Sequence, residues 1–272
     1  MKLAALIVQT ERRLRAARLH YGHGTDNPRD EAAYLVLRGL GLPFDSPLDR
    51  EADPEKTEKL VKARIEKRIP VAYLLREAWL DGVPFYVDKR VIIPRSHIAG
   101  LLKTKIHPGP VRRVLDLCTG SGCLAVLAAR AFPRARLDAS DISAAALAVA
   151  RINMQRHRME KRIRLVRSDL FASLGDVRYD VILSNPPYVS AAAMRRLPAE
   201  YRYEPRMSLA AGHDGLDLVE RILAEAPAHL APGGVLVCEV GDGRKAVERR
   251  FAAAPLIWPR DEVFVVQASK MG

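Results

Sequence analysis

The sequence contains one short segment in which an apolar run passes directly into small residues: Val114-Leu115-Asp116-Leu117-Cys118-Thr119-Gly120-Ser121-Gly122. The apolar run predicts a buried strand, and the small residues predict a tight turn into a helix that opens at Cys123. In an open parallel sheet, ligands bind at the carboxyl ends of the strands, where glycine allows the backbone to approach them. Taken alone, this turn is equally typical of an ordinary strand-to-helix connection.

Short apolar runs alternate with helical patterns on both sides of this segment. We predict strands at residues 111–117, 136–140, 163–167, 179–183 and 235–240, with helices near 122–132, 143–158 and 215–230. A last helix near 243–253 precedes two further strands, 256–258 and 263–268, which we predict to close the sheet as an antiparallel edge pair. The alternation therefore predicts an α/β fold, in which helices cover both faces of a mostly parallel sheet.

Two other parts precede this α/β part. Residues 1–76 show helical spacing of apolar residues, with helix starts at Asp26-Asn27-Pro28 and Asp53-Pro54-Glu55 and with Pro70 interrupting or ending the third helix. Residues 77–94 are rich in β-branched and aromatic residues around two turn signals, which predicts a β-hairpin linker. We therefore predict a helical amino-terminal domain for substrate recognition at 1–76, a hairpin at 77–94 and an α/β catalytic domain at 95–272.

Acidic residues follow two later strands of the predicted sheet. Asp141 ends the strand after the glycine turn, where its carboxylate can accept hydrogen bonds from both hydroxyls of a ribose, or cap the next helix. Asp169 closes the third strand, from which it can accept a hydrogen bond from the exocyclic amine of adenine. Leu170 or Phe171 is a candidate to cover the adenine ring, although Phe171 alone is more typical of a core residue. Ile142, the residue after Asp141, is a further predicted contact of the cofactor.

The glycine turn favours a methyl donor over a dinucleotide. It lacks the Gly-x-Gly-x-x-Gly pattern that a pyrophosphate requires, and the acidic Asp116 repels a pyrophosphate. The same acid suits the cationic amino-acid end of S-adenosylmethionine. We therefore predict an S-adenosylmethionine site, with the following contacts from the turn: Asp116, Cys118, Thr119, Gly120 and Gly122.

The fourth strand runs into Ser184-Asn185-Pro186-Pro187-Tyr188. Two prolines fix the backbone and leave its carbonyl groups free to accept, while Asn185 adds a side-chain oxygen. The loop can thus hold both hydrogens of a planar NH2 group, and Tyr188 supplies a face on which that group stacks. We predict that Asn185, Pro186 and Tyr188 carry catalysis with Pro187 in the acceptor pocket, without a general base. The alternative is a rigid proline turn that merely ends a strand.

At these residues the chain resembles the class I S-adenosylmethionine methyltransferases and, within them, the HemK/PrmB group of protein glutamine methyltransferases. The resemblance covers nearly the whole chain and implies a Rossmann-like, seven-stranded sheet. The resemblance implies that the glycine turn corresponds to the family's first motif, and that Asn185 to Tyr188 correspond to its acceptor motif. It also implies that Asp141 is the acid that binds the ribose and that Asp169 is the acid beside the adenine.

The group has two branches that differ in substrate. One branch methylates the Gly-Gly-Gln loop of peptide release factors and carries a Pro-Arg-Pro-Glu-Thr-Glu stretch, whereas this chain has Ile93-Pro94-Arg95-Ser96-His97 in its place. That difference and the stretches at 197–205 and 210–217 resemble the other branch, which methylates a glutamine of a large-subunit ribosomal protein, the third in the usual list. The resemblance implies that Arg95 and Glu204 shape the acceptor pocket, while it gives His97 and His213 no role.

The composition limits the class of protein. The formal net charge of +12 suits an enzyme that works near a polyanion, and we predict a contact with ribosomal RNA through the basic surface. Three cysteines at irregular spacing indicate a reducing compartment and no metal site. No apolar run is long enough to span a bilayer or to form a signal peptide, so we expect a cytoplasmic protein without a membrane partner.

Three alternatives stay open from the sequence. A release factor is the rival protein substrate, and adenine in RNA or DNA is a rival acceptor because adenine amino-methyltransferases use a similar loop. No nucleic-acid-reading module is recognisable beside the loop, which weighs against adenine. A non-catalytic ligand-binding protein is the third alternative, disfavoured by the intact acceptor loop.

Overall fold

The computed structural model describes residues 1–270 and contains the predicted alternation of strands and helices. The helices are α1 (Leu3–Ala16), α2 (Pro28–Gly39), α3 (Glu55–Lys67), α4 (Val71–Leu75), α5 (Ile98–Leu101), α6 (Cys123–Ala131), α7 (Ala144–Arg156), α8 (Ala191–Met194), α9 (Asp217–His229) and α10 (Arg244–Arg250). The strands are β1 (Ala78–Leu80), β2 (Val83–Phe85), β3 (Arg113–Leu117), β4 (Arg136–Asp141), β5 (Ile163–Arg167), β6 (Tyr179–Ser184), β7 (Leu230–Glu239), β8 (Ile257–Arg260) and β9 (Val263–Gln267).

The large sheet has seven strands in the order β5-β4-β3-β6-β7-β9-β8. The first five are parallel, and β9 and β8 add an antiparallel edge, so the predicted α/β fold is confirmed. One strand is longer than predicted: β7 begins at Leu230 instead of residue 235. The sequence Ala231-Pro232-Gly233-Gly234 is typical of a turn, but here it forms an irregularity in the register between β6 and β7.

Helices cover both faces of the sheet, as a parallel sheet requires. On one face, α6 packs its alanine- and leucine-rich surface on β3 and β4, and on the other face α9 packs on β6 and β7. Residues of β3 alternate between the two resulting cores, with Val114 in one and Leu115 in the other. The sheet is therefore buried from both sides, and its carboxyl edge is the place left open for a ligand.

Two of the four amino-terminal helices begin where the sequence predicts. Asn27 caps α2, since its side chain accepts a hydrogen bond from Asp30 N, and Asp53 accepts one from Glu55 N at the start of α3. Pro70 does not lie inside a helix. The third helix ends at Lys67. The next residue, Arg68, has a left-handed φ of 56° although it is not a glycine, and Pro70 precedes α4.

The predicted hairpin is only half as long as expected. Strands β1 and β2 pair around the left-handed turn Asp81-Gly82, but residues 86–94 form no strand, so that part of the prediction was wrong. The β-branched residues of 86–94 are core residues: Val87, Val91 and Ile93 are buried against α4 and α7. Burial of an irregular chain and burial of a strand leave the same apolar pattern over so short a stretch. The domain boundaries at residues 76 and 94 stay a prediction.

A buried set of charges joins the amino-terminal helices to residues 199–204 of the α/β part. Glu200 is fully buried and accepts hydrogen bonds from Arg64 and Arg68 and from the backbone N–H of His20. Arg64 is itself buried and donates to Glu31 at 2.6 Å. Because an unpaired charge is costly to bury, these pairs specify how the two parts of the chain dock.

His23 makes the docking of the two parts sensitive to acid. Burial lowers the pKa of His23 to about 4, below its ordinary value of 6.5. The unfolded chain therefore binds a proton that the folded protein excludes, so stability falls as the pH drops from about 6.5 toward 4.

Between about pH 7 and pH 5 we expect the free energy of unfolding to fall by about 2 kcal/mol through His23. Urea unfolding of His23→Gln should lack that loss, whereas the control His213→Gln, at an exposed site, should retain it. An unchanged pH profile in His23→Gln would contradict the assignment.

Candidate active site

One cavity of about 420 Å³ opens at the carboxyl ends of β3, β4 and β6. The strands lie side by side there, since Leu117 pairs with both Ser140 and Ser184. Most of the residues predicted for the site line this cavity: Arg95, Cys118, Thr119, Gly120, Asp141, Ile142, Asp169, Leu170, Asn185, Pro186, Pro187 and Tyr188. Three do not line it: Asp116, Gly122 and Glu204.

Asp141 connects the glycine turn to the next helix. Its Oδ2 accepts a hydrogen bond from Gly120 N at 2.9 Å, and its Oδ1 accepts one from Ser143 N at 2.8 Å. Ser143, and not Asp141, is the N-cap of α7, because its hydroxyl accepts from Ala146 N. Burial raises the pKa of Asp141, and the two backbone N–H groups oppose that rise. The carboxylate thus lines the cavity and orients the turn at the same time.

Asp116 lies behind the glycine turn and not in the cavity. Its side chain is 1% exposed, and its Oδ2 accepts hydrogen bonds from the hydroxyl of Thr119 and from Ala125 N. Burial raises its pKa to about 7, and its Oδ1 has no partner within residues 1–270. Asp116 is not among the residues that line the cavity, so the structure does not support the expected direct contact with the cationic end of the ligand. Asp116 acts here on the shape of the turn.

Gly122 is also a packing residue. Its φ is 78°, and a Cβ there would overlap Met154 of α7, so glycine allows α6 and α7 to approach each other. A third residue supports the same turn and was missed by the sequence analysis. The side chain of Asn153 is fully buried and donates to the carbonyl of Ser121 at 2.8 Å, while its oxygen accepts from Tyr86 N.

The predicted adenine-side residues differ in exposure. Leu170 is buried yet lines the cavity, with a left-handed φ of 45° that turns the chain after β5. Phe171 belongs to the core instead, where it stacks on His229 at a centroid distance of 4.7 Å. Asp169 lies at the cavity and accepts a hydrogen bond from Arg221 of α9 at 3.0 Å. Arg221 was missed because nothing in an amphipathic helix marks a residue that reaches the end of a strand.

Asn185 has a defined orientation. Its side-chain nitrogen donates to the backbone carbonyl of Arg95 at 3.3 Å, and its side-chain oxygen accepts no hydrogen bond in the described part of the chain. Arg95 is held by a bidentate pair with Glu204 at 2.6 and 2.7 Å. Glu204 also accepts from Ile93 N, so this buried acid supports the wall of the cavity from outside. The role that the resemblance gives to Arg95 and Glu204 stays a prediction.

The acceptor loop is fixed from behind by residues 209–215. Val189 N donates to the carbonyl of Leu209, Ala211 N donates to the carbonyl of Val189, and Ala191 N donates to the carbonyl of Gly212. Gly215 lies so close to the carbonyl of Tyr188 that a Cβ there would overlap it. These backbone contacts give the stretch 210–217 a structural role, which is to hold the acceptor loop in place.

The ring of Tyr188 packs closely against Gly241. A Cβ on Gly241 would lie 2.5 Å from the tyrosine ring. Burial is the main reason that the pKa of Tyr188 is raised to about 12, and the negative charge of Glu239 raises it further. Glu239, at the end of β7, is buried and accepts hydrogen bonds from the hydroxyl of Ser96 and from His97 N. An acid next to the last residue of a predicted apolar strand is the sequence signal that identifies Glu239. Since the phenol stays protonated at neutral pH, Tyr188 is not a base.

The two histidines without a predicted role lie at the surface. The side chain of His97 is half exposed and lies 4.0 Å from Glu262, and His213 is exposed. Within residues 1–270, no group of three or more histidine, cysteine or acidic side chains has the geometry to hold a metal ion. None of the helices in the same residues is long and apolar enough to cross a membrane.

Comparisons with known proteins agree with this fold and cavity. The family model of the methyltransferase small domain matches residues 98–199. The ribosomal protein uL3 glutamine methyltransferase of Burkholderia pseudomallei is 48% identical, over 95% of this chain and 92% of its own. The enzyme of the same description from Bordetella pertussis is 49% identical, over 94% of this chain and 90% of its own, and that from Bradyrhizobium diazoefficiens is 46% identical, over 95% and 88%.

Solved structures at low identity share the fold alone. A methyltransferase from Pyrococcus furiosus superposes with a TM-score of 0.50 at 19% identity, over 76% of this chain and 97% of its own. The hMettl16 catalytic domain in complex with MAT2A 3'UTR hairpin 6 superposes with a TM-score of 0.51 at 16% identity, over 78% of this chain and 80% of its own.

The sheet order and the cavity at its carboxyl edge define a methyltransferase of the class I fold. Within that class, the chain belongs to the ribosomal protein uL3 glutamine methyltransferase family, which confirms the predicted branch.

Proposed function

We propose that this protein transfers a methyl group from S-adenosylmethionine to the side-chain amide nitrogen of a glutamine in ribosomal protein uL3. The observation that carries the proposal is the orientation of Asn185. Because its nitrogen is taken by the Arg95 carbonyl, its oxygen is the atom left to accept from a primary amide. Membership of the family supplies the identity of the protein substrate.

The lining of the cavity fits S-adenosylmethionine. Asp141 and Asp169 both line the cavity, and the Asp169 Oδ2 atom has no partner within residues 1–270. In this proposal Asp141 accepts hydrogen bonds from the ribose hydroxyls and Asp169 accepts one from the adenine amine. Ile142 is 49% exposed beside Asp141, and a large apolar residue left open at a cavity suits the face of an adenine ring. When bound, the donor supplies an electrophilic methyl group on a sulfonium.

The chain contributes to the reaction by holding the acceptor amide. The nitrogen of an amide is a poor nucleophile because its lone pair is delocalised into the carbonyl. The Asn185 oxygen accepts one hydrogen of the NH2 group and the carbonyl of Pro186 accepts the other, which fixes the nitrogen and localises its lone pair. The prolines keep the carbonyls of this loop free and rigid, since they carry no N–H of their own.

The same acceptors select an amide over a carboxylate. Both groups that face the acceptor nitrogen are oxygens with partial negative charge. A glutamate in place of the glutamine would bring an anionic carboxylate oxygen, which has no hydrogen to donate, against them. Arg95 does not offset this repulsion, because its guanidinium is already paired with Glu204. The nitrogen becomes acidic once it carries the new methyl group, so the proton leaves without a base from the protein.

A side-by-side transfer assay tests the proposal. Labelled methyl from S-adenosylmethionine should appear on uL3 isolated from cells that lack this enzyme, and mass spectrometry should place it on one glutamine. Release factors and ribosomal RNA from the same cells serve as the rival acceptors. Transfer to a release factor or to adenine in place of uL3 would overturn the assignment of the substrate.

The contact of Tyr188 with Gly241 gives a further prediction. Gly241→Ala should displace the tyrosine ring and lower kcat for methyl transfer by roughly tenfold or more, because small misplacements near an acceptor are costly. Gly241 has a positive φ of 52°, so backbone strain must be controlled for. Gly233→Ala is the matched control, since its φ is 76° and nothing lies within 4 Å of the added Cβ. Backbone strain should cost each variant about 1 kcal/mol of stability, and displacement of the ring should add to that loss in Gly241→Ala. Only Gly241→Ala should lose activity. Equal activities would remove Tyr188 from the mechanism.

A further inference from the structure

A segment that borders the cavity carries four exposed arginines. We call residues 194–208 the rim segment, because Leu197, Tyr201, Met207 and Ser208 of this segment line the cavity. The arginines of the segment are Arg195, Arg196, Arg202 and Arg206, and all four are exposed. In the described part of the chain, none of them takes part in an ion pair or donates a side-chain hydrogen bond.

The acids of the rim segment do not neutralise these arginines. Residues 181–213 contain two acidic residues, Glu200 and Glu204, and the side chains of both are buried. Glu200 pairs with Arg64 and Arg68, and Glu204 pairs with Arg95, so both carboxylates face inward. The rim segment is therefore anchored through its acids and presents only positive charge to solvent.

The arginines alternate in sequence with the residues that line the cavity. Arg196 precedes Leu197, Arg202 follows Tyr201, and Arg206 precedes Met207. A polyanion that contacts these guanidinium groups thus lies at the mouth of the cavity, beside the entering acceptor. Arginine suits such a partner because its planar fork matches the oxygens of a phosphate.

We propose that the rim segment binds the phosphate backbone of ribosomal RNA next to the uL3 glutamine, so that the enzyme acts on an RNA-bound substrate. The inference rests on the proposed function. A ribosomal protein is itself basic as a class and repels a chain with a net charge of +12, whereas the RNA that it binds attracts both proteins. RNA also explains why charge is concentrated at the mouth of this cavity and left unpaired.

A salt titration of RNA binding tests the proposal. The probe is purified large-subunit ribosomal RNA, and the variant changes all four rim arginines to glutamine in the full-length chain. The matched control changes four other exposed arginines that have no side-chain partner within residues 1–270, namely Arg12, Arg29, Arg134 and Arg249. For four phosphate contacts, the affinity of the parent should fall roughly a hundredfold between about 50 and 200 mM salt. The rim variant should lose that dependence, and the control should keep most of it.

The outcomes separate this proposal from the proposed function. Methyl transfer to free uL3 should be equal in the parent, the rim variant and the control, while transfer to RNA-bound uL3 should fall only in the rim variant. Equal losses of RNA affinity in both quadruple variants would show a diffuse charge effect and overturn the rim site. Equally tight binding to polyglutamate would assign the surface to an acidic protein instead of RNA. Failure to methylate free uL3 at all would count against the proposed function and not against the RNA site.

Discussion

The Asn185→Ala variant should bind S-adenosylmethionine normally and transfer methyl groups roughly 100- to 1,000-fold more slowly than the parent. The substitution removes the side-chain oxygen that is left to accept from the acceptor amide, so the loss should appear in kcat. Calorimetry with the cofactor and single-turnover transfer to uL3 measure the two effects separately.

The fold should survive this substitution. The Asn185 side chain makes one hydrogen bond at 3.3 Å, while the loop is fixed by the backbone bonds of Val189 to Leu209 and Ala211. Gln155→Ala is the matched control, because it removes an exposed amide from α7 without touching the cavity. If Asn185→Ala turns over uL3 as fast as Gln155→Ala does, the amide-holding role is excluded.

The fold was predictable because parallel strands buried on both faces leave a strong pattern. Continuous apolar runs identify β3 and β6, and each is followed by small or polar residues that end it. The carboxyl ends of parallel strands meet at one edge, so residues that follow successive strands lie together even without knowledge of the contacts. That rule alone placed Asp141, Asp169 and Asn185 at one cavity.

The side chains that support the cavity from outside leave no such pattern, and Glu204 was named only through the family resemblance. Glu204 reaches Arg95 over a separation of more than a hundred residues, and Asn153 reaches the glycine turn from the inner face of a helix. Such contacts depend on tertiary packing, which leaves no local period in the sequence. The expected contact of Asp116 with the ligand lacks support from the lining of the cavity for a related reason. Its position near the end of a strand is visible in the sequence, but its burial behind Thr119 is not.

Asp141 is assigned two roles, to bind the ribose and to support the glycine turn, and substitutions can separate them. As a ribose ligand Asp141 contributes two charge-assisted hydrogen bonds, and as a support it holds Gly120 N and Ser143 N. Hydrogen bonds to a charged group contribute about 1.5–3 kcal/mol. We therefore expect Asp141→Ala to weaken S-adenosylmethionine binding by roughly 10- to 100-fold, as calorimetry measures it, with a smaller loss of transfer rate at saturating cofactor.

Ser143→Ala separates the two roles of Asp141. It removes the N-cap of α7, which costs about 1 kcal/mol of stability, but it leaves the Asp141 carboxylate in the cavity. If the carboxylate binds the ribose, Ser143→Ala should keep nearly the full affinity while its thermal stability falls. If the affinity depends on the start of α7 instead, the two variants should weaken cofactor binding alike, and the ribose contact is then ruled out. Cavity lining favours the first result, because Asp141 lines the cavity and Ser143 does not.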